Sequence, residues 1–132
     1  MKKFGIIFIA FMAVFSASFV FAVTTGTISS TFKYAWSTKT GWINFAPTDG
    51  NGSYVGLSIT STAVSGYAWS QNYGWINFSP TNGGVSNDTS GTLSGYAWGQ
   101  SLGWINFTGV KIDCSGQFSG SASGDSVGVI NF

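Results

Sequence analysis

An all-β fold is predicted, made of tandem β-hairpins stacked as a meandering antiparallel sandwich or a short solenoid. Three observations lead there. A unit of Tyr-Ala-Trp, a short turn and Gly-Trp-Ile-Asn-Phe recurs at 34–45, 67–78 and 96–107, with seven residues from Tyr to Gly each time. Side chains change character at every second position along both arms of the unit, the period of a strand. No stretch after residue 22 shows the apolar period of a helix, while glycine and β-branched residues recur throughout.

Residues 1–22 read as a secretory signal. Lys2 and Lys3 start it, an apolar run follows from 4 to 15, and Val20-Phe21-Ala22 is an A-x-A-like exit. The run is short for a membrane span. Export to the extracellular space or cell surface is expected, with 23–132 as a single β-repeat domain large enough for one core.

Taken in order, 23–31 is a weak lead-in strand and 31–45 is the first copy. Ala46-Pro47-Thr48-Asp49-Gly50-Asn51-Gly52-Ser53 is a loop by composition. A strand is expected over 54–59. The second copy spans 64–78, and Ser79-Pro80-Thr81-Asn82-Gly83-Gly84 repeats the loop chemistry of the first. The third copy is 93–107, followed by a short strand at 110–112 and a turn at 113–116. A fourth copy lies at 118–132 and aligns without gaps to the third, but Ser121, Ser123 and Val129 stand where Tyr96, Trp98 and Trp104 would be. Equivalent starts are 33, 29 and 25 residues apart, a spacing that marks a repeat architecture.

Each copy reads as a hairpin. The glycine before the second Trp (Gly41, Gly74, Gly103, Gly128) supplies a positive φ in the turn. A loop over 99–103 sets Trp98 across from Trp104. Leu93, Ala97, Ile105 and Phe107 then share one face, and Tyr96, Trp98, Trp104 and Asn106 the other. A one-residue slip would mix the two sets. The fourth copy argues against it, because Phe118, Ala122, Ile130 and Phe132 stay while the aromatic set changes as a block.

Aromatic faces at strand spacing are usually core. The Tyr/Trp/Trp faces are therefore expected to be buried between stacked repeats, with the fourth copy as a polar end cap. The alternative is that these faces are open and hold sugar rings. The binding residues would then be Tyr67, Trp69, Trp75, Asn77, Tyr96, Trp98, Trp104 and Asn106. The repeated asparagines are expected to bond neighbouring backbone. Asn77-Phe78-Ser79 and Asn106-Phe107-Thr108 match a glycosylation sequon but are read as parts of the repeat.

Much chemistry is excluded by composition. The chain has no His, Glu or Arg, so a Ser-His-Asp arrangement cannot be built and zinc lacks ligands. No catalytic residue, metal or cofactor is expected. Asp49-Gly50-Asn51-Gly52-Ser53 has a calcium-like spacing, which a plain turn explains. The formal net charge is +1, with no basic stripe, so nucleic acid is not an expected partner. Cys114 is the one cysteine; it aligns with Thr89 and reads as a turn residue rather than an interchain link.

The segments Ser65-Gly66-Tyr67-Ala68-Trp69 and Gly74-Trp75-Ile76-Asn77-Phe78-Ser79-Pro80, with their counterparts around Trp98 and Trp104, resemble the tandem SGYAW…GWINFSP repeats of exported and cell-surface bacterial proteins. The resemblance covers almost all of 31–132 and implies a surface repeat protein without naming an activity. The first copy departs from it at Lys33, where the others have glycine, and the fourth at its three lost aromatics.

The function expected from these features is that of an exported, non-enzymatic structural or adhesive surface protein. Free sheet edges and low charge favour self-association or contact with cell-envelope components. The rival is a lectin-like module for glycans. An outer-membrane barrel is a third reading, suggested by the terminal Phe132. The expected strands are mostly shorter than the 9 to 11 residues a span needs.

Overall fold

The computed structural model describes residues 25–132; the secretory signal expected at 1–22 lies outside the described residues. Those residues form fourteen short antiparallel strands and no helix. In chain order they are β1 (Gly26–Thr27), β2 (Tyr34–Ser37), β3 (Gly41–Asn44), β4 (Ser58–Ile59), β5 (Ala63–Ser65), β6 (Tyr67–Ser70) and β7 (Gly74–Asn77). There follow β8 (Gly84–Asn87), β9 (Leu93–Gly99), β10 (Gly103–Asn106), β11 (Lys111–Ile112), β12 (Phe118–Ser119), β13 (Ser121–Gly124) and β14 (Gly128–Asn131).

The four copies are hairpins, β2–β3, β6–β7, β9–β10 and β13–β14, in the expected register. Trp36 faces Trp42, Trp69 faces Trp75, Trp98 faces Trp104, and Ser123 faces Val129. Each turn glycine has positive φ, 77° at Gly41, 82° at Gly74, 74° at Gly103 and 72° at Gly128.

The copies do not stack as a sandwich or solenoid. β3 pairs with β6, β7 with β9, β10 with β13, and β14 returns to β2 through Ile130↔Ser37 and Asn131↔Trp36. The result is a closed eight-stranded barrel, and closure removes the long free edges expected from an open array. The fourth copy is therefore a wall of the barrel rather than an end cap.

The barrel interior takes the aliphatic face. Ala35 with Ile43, Ala68 with Ile76, Ala97 with Ile105 and Ala122 with Ile130 are all buried, a small side chain opposite a large one in every hairpin. An eight-stranded barrel is just wide enough for its own side chains to fill. Alanine and isoleucine meet that limit, and indoles do not. The Tyr/Trp/Trp faces consequently point out, which corrects the expectation that they are buried between repeats. Both faces are apolar, so alternation separates them without saying which is inside.

One end of the barrel is floored by phenylalanines. Centroid separations are 6.0 Å for Phe45–Phe78, 4.8 Å for Phe78–Phe107, 6.2 Å for Phe107–Phe132 and 5.2 Å for Phe132–Phe45, so the four form a closed ring. Each buried Phe or Ile contributes roughly 1.5–3 kcal/mol by leaving water. At the other end Thr40, Leu102 and Val127 are buried, while Tyr73, at the equivalent position, turns outward. There the Ser37 hydroxyl donates to the carbonyl of Val127.

A small flanking sheet, β1–β4–β5–β8, joins the barrel along the first half of β9. β8 was not anticipated from the sequence, and the strand expected at 54–59 is reduced to Ser58–Ile59, with Tyr54 held in a single bridge to Thr48. Leu57, Val64, Val85, Leu93, Val110 and Phe118 join the barrel interior in one core. The glycine before Tyr also has a physical reason. Gly95 has φ of 91°, and a Cβ there would lie 2.2 Å from the Gly84 carbonyl oxygen.

The third reading, a membrane-spanning barrel, is disfavoured on dimensions. A four-residue strand such as β6 rises only about 13 Å, about half the apolar band of roughly 25 Å that such barrels present.

Candidate functional site

The outward face of each full hairpin carries one aromatic triad built by its register. In the second hairpin Trp69 and Trp75 are a directly opposed pair on β6 and β7, with centroids 4.7 Å apart at 66°, and Tyr67 meets Trp75 edge-on at 6.0 Å. In the third, Trp98 and Trp104 are 4.8 Å apart at 62°, with Tyr96 at 6.4 Å from Trp104. The first repeats the arrangement with Trp36 and Trp42 at 5.1 Å and Tyr34 at 6.4 Å from Trp42. Edge-to-face packing holds each pair rigid while leaving ring surface to solvent. Trp75 is 43% exposed, Trp104 42% and Trp42 56%, large values for indoles.

The asparagines of the first and second copies stand beside the triad of the next. Asn44 pairs with Trp69, and Asn77 with Trp98, across the hairpin boundaries. The side-chain oxygens of Asn44, Asn77 and Asn106 accept the backbone N–H two residues on, at Ala46, Ser79 and Thr108. The backbone role expected of these amides is thus present. It leaves the Nδ2 protons without a protein partner among the described residues.

Two clefts lie against the triads. One, of about 360 Å³, is formed by Trp69 and Trp75 on one side and by Asn44, Pro47, Thr48, Asp49 and Gly50 on the other. The second, of about 240 Å³, lies between Tyr96, Trp104 and the loop residues Asn82 and Gly83. Gly83 packs so near Trp104 that a Cβ on it would sit 2.6 Å from the indole Cζ3. In both clefts the platform comes from one hairpin and the wall from the loop leaving the hairpin before it. Sequence reasoning placed the platforms but missed the walls. The signal for them was present in the Pro-Thr that follows the first and second copies, Pro47-Thr48 and Pro80-Thr81.

The electrostatics are sparse. Among the described residues, Asp49 is the only charged one lining either cleft. Its Oδ1 accepts the N–H groups of Asn51 and Ser53. Asp88 and Asp113 build the same turn, each followed three residues later by a glycine of positive φ, as Asp49 is by Gly52. The calcium-like spacing at 49–53 is accounted for by this turn. The Ser90 hydroxyl, then the Thr92 N–H, hold the Asp88 carboxyl below its ordinary range; the Ser115 hydroxyl and the Gln117 N–H do the same for Asp113. Both turns lie away from the clefts' lining. Cys114 is exposed in the Asp113 turn. No group of three or more Asp or Cys side chains able to hold a metal occurs among the described residues.

Comparison of the chain with protein-family models, with curated proteins and with solved structures finds no match.

Proposed function

We propose that this chain is an exported, non-enzymatic glycan-binding module that seats sugar rings on its outward Tyr/Trp/Trp faces. The observation that carries the reading is the exposure of opposed indole pairs beside a polar wall. Exposed aromatic surface of this extent marks an interaction site rather than a fold requirement. A few polar groups next to an apolar platform suit a ligand with one apolar and one hydroxylated face, and pyranose rings have that character. Export rests on the signal-like residues 1–22 and on the resemblance to surface repeat proteins.

The test is tryptophan emission during titration with oligosaccharides, beside acrylamide quenching. The expected result is ready quenching of the free protein, with protection and a spectral shift on adding a binding glycan. Rings that stay equally quenchable with every saccharide would refute the proposal.

A structural or adhesive role is a second reading, supported by a different observation. Phe32, Tyr34 and Trp42 are each more than half exposed and lie on or next to the first hairpin, without a cleft wall. An apolar patch there favours self-association through side chains, in place of the sheet edges that closure removes. Sedimentation of the wild type and a Trp42→Ser variant distinguishes a concentration-dependent oligomer from a monomer.

A further inference from the structure

We propose that the protein cross-links charge-neutral polysaccharides, holding separate chains on three of its four sides and none on the fourth. The inference rests on the glycan reading and names its ligand class and its valence. Four hairpins share the circumference of a barrel whose inside is filled by its own side chains, so neighbouring triads face about a quarter turn apart. A stiff β-linked pyranose chain lying flat on Trp69 and Trp75 cannot bend around so narrow a cylinder to lie flat on Trp98 and Trp104 as well. Each triad therefore takes its own chain or a distant segment, which is multivalent rather than extended-groove binding.

The ligand's charge follows from the clefts. Neither contains a cation, and the second-hairpin cleft contains Asp49. An anionic polymer meets like charge there and no compensating Lys. On the first hairpin, which has no cleft wall, Lys33 lies over the Tyr34 ring at 5.5 Å, so the preference for neutral polymers belongs to the second and third faces. Sugar hydroxyls can donate to Asp49 and Thr48 and accept from the Asn44 amide. The unbroken axial C–H face of a glucose- or N-acetylglucosamine-type unit matches the flat indole.

The blank side is the fourth hairpin. Ser121, Ser123 and Val129 occupy the triad positions there in the same register as the other copies. This hairpin also supplies a conservative way to erase a site, since Ser/Ser/Val at these positions is already compatible with a barrel wall.

The experiment compares the wild type with single-face variants in which two of the three triads are replaced in this way. One such variant carries Tyr34→Ser, Trp36→Ser and Trp42→Val together with Tyr67→Ser, Trp69→Ser and Trp75→Val. Circular dichroism confirms the fold of each. Turbidity and sedimentation are read against hydroxyethylcellulose, mixed-linkage β-glucan and galactomannan, with carboxymethylcellulose as the anionic arm. Wild type is expected to precipitate a neutral polymer at an intermediate ratio and to redissolve it when either component is in excess. Single-face variants should still bind but leave the solution clear, and carboxymethylcellulose should bind at least tenfold more weakly. Binding that saturates at one site per protein, a single-face variant that cross-links as well as wild type, or preference for the anionic polymer would overturn this inference and leave the glycan reading standing. Absence of binding to every polymer would overturn both.

Discussion

Phe132 packs against Phe45 with ring centroids 5.2 Å apart, joining the last hairpin to the first at the floor of the barrel. The backbone pair Asn131↔Trp36 lies beside it. Together they close the sheet, and closure decides which aromatics are structural and which are available. Phe107→Ala should destabilise by about 3–5 kcal/mol, as removal of a buried ring does. Trp104→Ala should cost only about 1 kcal/mol, since it loses an edge-to-face partner on an exposed surface. Urea unfolding of the two variants checks the contrast; equal losses would place the indoles in the core.

The two classes of glycine differ in a measurable way. Gly103 has φ of 74° with open space at its Cβ position, so Gly103→Ala should cost about 1 kcal/mol. Gly95→Ala brings a methyl to 2.2 Å from a backbone oxygen as well, and should cost roughly 3 kcal/mol or more. Thermal melts that rank them the other way would contradict the close approach of β8 and β9.

Two buried serines inside the barrel should also part company. Ser37 donates a hydrogen bond to the Val127 carbonyl, and Ser37→Ala should lose about 1 kcal/mol. The hydroxyl of Ser70 is buried with no partner among the described residues. Ser70→Ala should therefore be neutral or slightly stabilising. A large loss from Ser70→Ala in chemical denaturation would reveal a partner for that hydroxyl.

Acid should weaken the fold through the aspartate turns. The carboxyls of Asp88 and Asp113 are held below their ordinary range by hydrogen bonds to the charged form. Their contribution is complete above the unfolded-state value near 3.9 and is lost as the pH falls through the lower folded values. The urea midpoint of wild type should drop between about pH 5 and pH 2. A double Asp88→Asn, Asp113→Asn variant should show a flatter profile, and an unchanged slope would remove these turns from the account.

Gly83 is the most direct handle on a single cleft. A methyl at this position would press on the far end of the Trp104 ring at 2.6 Å, and a side chain can turn away where backbone cannot. Gly83→Ala should leave the melting temperature within a few degrees of wild type. It should alter the near-ultraviolet dichroism of the Trp98–Trp104 pair and weaken ligand binding at the third hairpin alone. Unaltered indole spectra would show that Gly83 does not wall the cleft.

Much of the local structure was legible in the residues. The turn glycines, the pairing of Trp98 with Trp104 and the separation of the Ala/Ile side from the Tyr/Trp side all hold, because strand geometry admits only two faces. The fourth copy was informative for the same reason, since a block change on one side cannot occur across a slipped register. The candidate site was half legible. Trp69, Trp75, Trp98 and Trp104 were marked by repetition, whereas Thr48, Asp49, Asn82 and Gly83 join them only because loops from preceding copies fold alongside.

By itself, then, the order of residues determined four antiparallel hairpins, their internal register and two chemically distinct sides. Only the tertiary structure decided that β14 returns to β2 and that the indoles face water. The physical reason is that both sides are apolar, so hydrophobicity leaves the choice open. Available volume decides it: a closed eight-stranded barrel has room within for Ala35, Ile43 and Phe45, and none for Trp36 and Trp42.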